Sequence, residues 1–403
     1  MEDARLNFRP ILLAIAVATA GVMPAFLIGG LSVQVRGELR FSEASLGLAV
    51  AAFFAVASLA SVVMGRVVER IGSHNGMRLA VTMSAMSLIG IAVLARSWIG
   101  LVLCLILGGL ANATAHPAAN LSLAREVPPG RQGLSFGIKQ ASIPTATMFA
   151  GLSVPLIAVT VGWRWAFVGA AILALCVAVI VPKEEIGGVS VKRARSGDSR
   201  PWSLIVLALG IGLGSTAATP LGAFVVESSV NSGLDVGTAG LLLAAGSAFS
   251  IVVRIFFGNL ADSMTSGRLR IVAGMLALGV VGFGMLASGV EALLVVGVLL
   301  AFGAGWGWPG LFNFAVVKSN PGAPAAATGV TQTGASAGAA LGPLIFGLVV
   351  QASSYSTAWM LCGVFALLSL TAILIGRQMI LRDNVLGARY PASASELTNR
   401  SAE

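Results

Sequence analysis

Residues 240–262 read GLLLAAGSAFSIVVRIFFGNLAD, an apolar stretch with a single arginine, Arg254, inside it. Residues 47–69 read GLAVAAFFAVASLASVVMGRVVE and align with this stretch without a gap. Three pairs support the alignment: Gly47 with Gly240, Gly65 with Gly258, and Glu69 with Asp262. The offset of about 193 residues is much longer than a solenoid repeat, so we interpret the chain as two related halves of one molecule.

The composition places these halves in a membrane. Of the 403 residues, 57% are hydrophobic and only 10% are charged, whereas a soluble domain has about 25% charged residues. An α-helix needs about 20 apolar residues to cross a bilayer, and its backbone must satisfy its own polar groups there. The predicted fold class is therefore an all-α membrane protein.

Apolar runs of this length predict twelve transmembrane helices, which form two pseudo-symmetric six-helix bundles. In the first half they lie at 11–33, 45–65, 77–95, 98–122, 132–157 and 163–182. In the second half they lie at 203–226, 237–259, 269–288, 292–317, 326–350 and 357–377. The predicted parts are a cytoplasmic N-terminus (1–10), the first bundle (11–182), a polar cytoplasmic linker (183–201), the second bundle (202–377) and a disordered cytoplasmic tail (378–403).

Orientation follows from the lysines and arginines, which accumulate in cytoplasmic loops. Nineteen of the 25 lie on the side of the amino terminus, and two, Lys139 and Arg254, lie inside helices. The other side has only four: Arg36, Arg40, Arg96 and Arg164. We therefore expect a multi-pass protein of the plasma membrane, the inner membrane of a bacterium, with both termini cytoplasmic. The first apolar run lacks a cleavage site, so we expect it to serve as a retained insertion signal.

Several function classes are disfavoured. The net charge of +9 is scattered over short connections and forms no nucleic-acid motif. The three cysteines lie in apolar runs without the spacing of a metal site, so we expect no metal and no cofactor. The sequence shows no combination of a nucleophile with a general base that would indicate an enzyme. A basic cluster near residues 192–195 could bind anionic lipid, but positive-inside topology explains it as well.

Residues 65–74, GRVVERIGSH, resemble the signature GxxxD(R/K)xGxx(R/K) of the major facilitator superfamily. The matching residues are Gly65, Glu69, Arg70 and Gly72, with glutamate in place of the usual aspartate. A weaker copy follows in Gly258 and Asp262. The resemblance covers residues 10 to 377 and implies two six-helix bundles that rock about a central site, with both copies acting at a gate. In physical terms, Gly65 would permit close helix approach, and the charged pair would bridge to a neighbouring helix end.

Two departures from the family narrow the function that the resemblance implies. Its drug/proton antiporters have an arginine four residues before a glycine in the fourth helix, where this chain has Cys104 and Leu105. They also have GxxxGPxxGG in the fifth helix, where this chain reads GIKQASIP from Gly137. Proton-driven drug efflux is therefore disfavoured, although an efflux pump for amphipathic drugs stays an alternative.

Lys139 and Arg254 are the strongest candidates for a binding site. An ionised group at mid-membrane costs about 2.5–3.5 kcal/mol even on lenient scales, so such residues are functional candidates. Monocarboxylate and oxalate/formate carriers of the superfamily also have an arginine at the position that Arg254 occupies. The alternative is structural, in which each cation extends to the cytoplasmic surface or pairs with a buried acid. The repeat places Thr331 opposite Lys139 and Ser61 opposite Arg254, so each half supplies one cation.

Other polar residues are predicted to line the same cavity. The spacing of Asn112, His116 and Asn120 puts them on one face of the fourth helix. His116 is either a proton-linked group or a neutral hydrogen-bonding histidine. Gln140 and Gln332 match across the repeat, and Trp308 either closes the cavity or packs in the core.

These observations predict a transporter that moves a small organic anion, a carboxylate, by alternating access. We expect a monomer surrounded by lipid. Uniport, exchange for another anion and symport with a proton all stay open as modes of transport. The alternatives are the drug efflux pump and a non-transporting membrane receptor or scaffold.

Overall fold

The computed structural model describes residues 8–127, 135, 138–182, 201–264, 266–320 and 324–389. All regular elements in these ranges are helices, which confirms the predicted all-α class. A helix satisfies each backbone N–H and C=O within itself, so it is the element that this apolar sequence can form in lipid.

The first half contains six membrane helices and one short connecting helix. They are α1 (Phe8–Gly30), α2 (Ser32–Leu39), α3 (Glu43–Ile71), α4 (Ser73–Leu94), α5 (Trp98–Glu126), α6 (Ser142–Ser153) and α7 (Trp163–Ile180). A π-helical turn, Val154–Ala158, extends α6. Side-chain oxygens cap two of the helices, because Ser42 accepts from the backbone N–H of Ser45 and Ser97 accepts from that of Gly100.

The second half repeats this arrangement. Its helices are α8 (Pro201–Asn231), α9 (Val236–Ser263), α10 (Arg268–Ala287), α11 (Glu291–Leu300), α12 (Pro309–Ser319), α13 (Pro324–Ala352) and α14 (Tyr355–Arg389). A π-helical turn, Ala301–Gly305, and a short irregular turn join α11 to α12, so that the two form one span. In the described residues, eleven helices are long and apolar enough to cross a membrane, and Ser142–Ala158 is a shorter twelfth. The predicted twelve spans are confirmed.

The predicted helix at 11–33 was wrong at its end. The membrane helix α1 stops at Gly30, and the separate helix α2 follows it. This helix is polar and has no apolar periodicity, so no local pattern in the sequence indicates it. It is held by the burial of Val35 and by contacts of Arg36 with distant parts of the chain.

The predicted disordered tail was also wrong over its first residues. The last helix, α14, continues past residue 377 to Arg389. Ile380 explains the extension, because it is buried in the same core cluster as Leu204 and Leu207 of α8. The rest of the tail, the predicted linker at 183–200 and residues 1–7 lie outside the described residues.

The predicted helix at 292–317 is interrupted, and proline chemistry explains where. Pro309 has no N–H to donate to the carbonyl of Gly305, so the regular hydrogen-bond pattern of the helix is lost at this point. The indole N–H of Trp308 donates to this carbonyl instead, at 2.8 Å. The sequence contains this proline, but the predicted span ignored it.

The two halves pack against each other along three pairs of membrane helices, α3 with α13, α6 with α9, and α1 with α8, and the connecting helix α2 also contacts α8. We call the end where α1 finishes and α3 begins the outer end, because the charge distribution predicts that it faces away from the cytoplasm. Glycines allow close approach there. A methyl group added at Gly47 would overlap the carbonyl oxygen of Pro343, and one at Gly29 would overlap that of Gly222.

Candidate functional site

Lys139 is buried between α5 and the start of α6. Its Nζ lies 2.8 Å from Oδ1 of Asn120 and 3.0 Å from Nδ1 of His116, and only 5% of the residue is exposed. An ammonium group can only donate, so Nδ1 of His116 is the acceptor and its ring proton lies on Nε2. In this arrangement His116 is a neutral hydrogen-bonding residue. Among the described residues the third N–H of Lys139 has no partner, so it is available to a ligand.

Arg254 is buried in α9 and crosses to the other half of the molecule. Its Nη1 donates to the backbone oxygen of Gln140 at 2.7 Å, and its Nη2 donates to that of Trp306 at 2.6 Å. The residue is 6% exposed, and its buried Nε has no hydrogen-bond partner among the residues that the structure describes. Because Gln140 directly follows Lys139 in the chain, this contact brings the two cations into one region.

No carboxylate neutralises either cation within the described residues. The ion pairs found there are Arg36 with Glu43 and Glu227, His74 with Glu126, and Arg164 with Glu38. The buried acid Glu227 is engaged at the outer end and does not reach the central region. An uncompensated buried charge is costly, so the arrangement suits a ligand that supplies negative charge.

The repeat positions of the two cations contain hydroxyl groups that stay within their own helices. Thr331 donates to the carbonyl of Ala327, 3.3 Å away, and Ser61 donates to that of Ser58, 2.7 Å away. Lys139 and Arg254 instead reach other elements. The two halves therefore differ at these repeat positions, and each half supplies one long cationic side chain.

The remaining predicted cavity residues differ in their surroundings. His116 and Asn120 hold Lys139, but Asn112, on the same face of α5, has a buried Oδ1 without a partner. Gln332 is exposed on α13. Trp308 is completely buried and packs edge-on against Phe312 at 6.0 Å, which is the packing alternative for this residue.

Trp306 is the site residue that the sequence analysis missed. Its backbone oxygen accepts from Arg254, and its ring meets Phe26 of α1 edge-on at a centroid distance of 5.7 Å. The interruption between α11 and α12 leaves this carbonyl outside regular helix bonding. Pro309 was the sequence signal that could have indicated a free carbonyl nearby.

The predicted gate residues lie at the end opposite α2. Glu69 and Arg70 are exposed at the end of α3, and Gly72 adopts a φ of 89°, which favours glycine. Within the described residues a methyl group at Gly65 or Gly258 would meet no atom within 4 Å, so the expected close approach is not made there in this conformation. The side chain of Asp262 lies outside the described residues.

The sequence profile described as Major Facilitator Superfamily matches residues 11–206 and 204–392. The chain belongs to the major facilitator superfamily. This membership agrees with the two six-helix halves and with the signature at residues 65–74.

Three curated proteins are similar in sequence to this superfamily member. An uncharacterised MFS-type transporter, found in two Mycobacterium tuberculosis strains, is 26% identical over 288 residues, which are 67% of this chain. The match covers 62% of that relative's length. A chloramphenicol resistance protein of Streptomyces lividans is 26% identical over 349 residues, covering 83% of this chain and 87% of the relative.

Solved structures share the superfamily fold at low identity. A bacterial homologue of the human lysosomal transporter Spinster, in an inward-facing and occupied conformation, gives a TM-score of 0.73 at 16% identity. The match covers 93% of this chain and 97% of that one. The nucleoside transporter NupG gives a TM-score of 0.72 at 13% identity, and the match covers 91% of this chain and 99% of that one.

Proposed function

We propose that this transporter moves a small organic anion, a carboxylate, across the membrane by alternating access. The observation that carries the proposal is the pair of buried cations Lys139 and Arg254, one from each half, with no carboxylate partner in the described part of the chain. A co-transported proton and an exchanged anion are both compatible with this site.

The donors left on the two cations match a carboxylate. The ammonium of Lys139 keeps one N–H beyond its bonds to His116 and Asn120, and the buried Nε of Arg254 has no partner. Charge-assisted hydrogen bonds are roughly twice as strong as neutral ones. An anion bound between the cations would attract both halves at once, which would couple binding to closure of the bundles.

Binding to the purified protein tests this proposal. A panel of mono- and dicarboxylates is first screened for thermal stabilisation, because a ligand of the folded state raises apparent stability by mass action. Calorimetry then measures the affinity of the best ligand. We expect Lys139→Gln and Arg254→Gln each to weaken binding by about tenfold or more, since a hydrogen bond to a charged group contributes about 1.5–3 kcal/mol.

Arg78→Gln is the matched control. Arg78 also donates to a backbone oxygen of another helix end, that of Val181 at 2.6 Å, but it lies outside the proposed site. Its variant should bind the carboxylate with unchanged affinity. Wild-type affinity in both site variants would contradict the proposal and leave the two cations as structural residues.

Drug efflux is the second candidate, favoured by the similarity to the chloramphenicol resistance protein of Streptomyces lividans. Cells that express the chain should then tolerate more chloramphenicol than cells with an empty vector. Chloramphenicol has no carboxylate that the two cations could bind. Resistance that survives both Lys139→Gln and Arg254→Gln would therefore favour efflux over anion transport.

We further propose that the signature around Gly65, Glu69, Arg70 and Gly72, with Gly258 and Asp262, closes the cytoplasmic end in the opposite conformation. The open space beside Gly65 is compatible with this role, because it leaves room for a helix to approach. The proposal includes a lipid-embedded monomer in the plasma membrane.

A further inference from the structure

Arg36 of α2 is held in a defined orientation by its own half of the molecule. Its Nε donates to the backbone oxygen of Phe41 at 3.1 Å, and its Nη2 lies 2.7 Å from Oε1 of Glu43. These two contacts use one side of the planar guanidinium. The other side, with Nη1, is directed away from the first half.

That side reaches a buried carboxylate of the second half. Nη1 of Arg36 lies 2.7 Å from Oε1 of Glu227 on α8, whose side chain is only 4% exposed. The hydroxyl of Tyr355, at the start of α14, donates to Oε2 of Glu227 at 3.2 Å. Both oxygens of this carboxylate are therefore engaged, one from each half of the chain.

The surrounding contacts show that the halves are closed at this end. The backbone of Glu43 packs closely against the second half, because a methyl group added at Gly347 of α13 would lie 2.5 Å from the backbone oxygen of Glu43. Burial opposes the charge of Arg36, but Glu227 and Glu43 together outweigh this effect and raise the pKa of Arg36 above its ordinary value. The guanidinium therefore stays charged between the two carboxylates.

We propose that Arg36 and Glu227 form the outer gate of the transport cycle, a pair that is made when the outer end closes and broken when it opens. Glu43 is a positioning residue that orients Arg36 from within the first half, and Tyr355 orients Glu227 from within the second. The gate acts for any transported molecule, because none of these residues belongs to the proposed anion site.

The physical basis is a difference between two states. When the halves separate, water can solvate Arg36 and Glu227 individually, so the pair contributes only to the closed state. Removing one partner leaves the other buried and poorly paired on closure. The variant should then shift the population toward the open outer end without affecting the fold within either half.

Distances between spin labels at the outer end test the gate. Cys104, Cys176 and Cys362 are first replaced by alanine, and labels are attached at Gly37→Cys in the first half and Asn231→Cys in the second, both exposed. In detergent, pulsed electron paramagnetic resonance measures the distance distribution. We expect Glu227→Gln and Arg36→Gln to raise the ratio of long to short distances by about tenfold or more, as expected when one partner of a buried pair is removed.

Arg164→Gln is the matched control. Arg164 pairs with Glu38 at 2.5 Å at the same end, but both residues belong to the first half. This variant should leave the distribution unchanged, and a shift as large as that of Glu227→Gln would contradict a specific gate. An unchanged distribution in Glu227→Gln would contradict it as well.

If Glu227→Gln does not give monodisperse protein, Tyr355→Phe and Glu43→Gln decide the question. Each removes one positioning contact and leaves the pair of Arg36 and Glu227 in place. Both should give a smaller shift toward long distances. The absence of a shift in both would overturn the proposal.

Discussion

The guanidinium of Arg254 makes two contacts that an ammonium group cannot make together. Its Nη1 and Nη2 bind backbone oxygens in different halves, those of Gln140 and Trp306, and its Nε is still left for a ligand. These three nitrogens are held by one rigid plane. A lysine has the same charge, but its single nitrogen cannot span these positions.

We therefore predict that Arg254→Lys lowers the affinity for the identified carboxylate by about tenfold or more although the charge is kept. The affinity should fall less in Lys139→Arg, because the partners of Lys139 are the side chains of Asn120 and His116, which can adjust their positions. Calorimetry on monodisperse protein gives both values. Equal losses in the two variants would indicate that charge alone matters at this site.

At the scale of the element, the two glycines that define the repeat in α3 have different surroundings. Gly47 lies against Pro343 of α13 at the outer end, whereas a methyl group added at Gly65 would meet no atom within 4 Å. The same contrast holds in α9, where a methyl group at Gly240 would overlap Val154 and one at Gly258 would have open space. The repeated glycines therefore lie at opposite ends of their helices and differ in packing, with close neighbours at the outer end and none among the described residues at the other.

This contrast predicts that Gly47→Val opens the outer end and that Gly65→Val does not. The added side chain at position 47 would overlap the backbone of α13, which cannot rotate away as a flexible side chain could. The spin labels at positions 37 and 231 should show mainly long distances in Gly47→Val. The distribution in Gly65→Val should match the wild type, and long distances there would contradict the assignment of this glycine to the other end.

At the scale of the whole molecule, the charge distribution predicts the orientation. Ser266, between α9 and α10, should face the cytoplasm, and Ser353, between α13 and α14, should face outward. Both are exposed. In a background without native cysteines, a membrane-impermeant maleimide added to intact cells should label Ser353→Cys and leave Ser266→Cys unlabelled until the membrane is opened. The reverse pattern would show that the termini lie outside.

The sequence by itself determined the number of spans, the two halves, the superfamily and the two cations inside the apolar runs. These properties depend on short stretches of chain, because transfer into lipid depends on local hydrophobicity and each helix satisfies its own backbone. The repeat in 47–69 and 240–262 was equally visible, since it is a property of residue order. It could not distinguish a packed glycine from an open one.

Only the tertiary structure decided which polar groups meet. Arg36 and Glu227 are separated by 191 residues, and Arg254 and Gln140 by 114. Such pairs form because two bundles pack in one orientation, which no local pattern encodes. From the sequence alone Arg36 is an outer-loop charge and Arg254 is a buried cation without known partners. The packing of the halves joins Arg36 to Glu227 and brings Arg254 to the carbonyl of Gln140 in the other half.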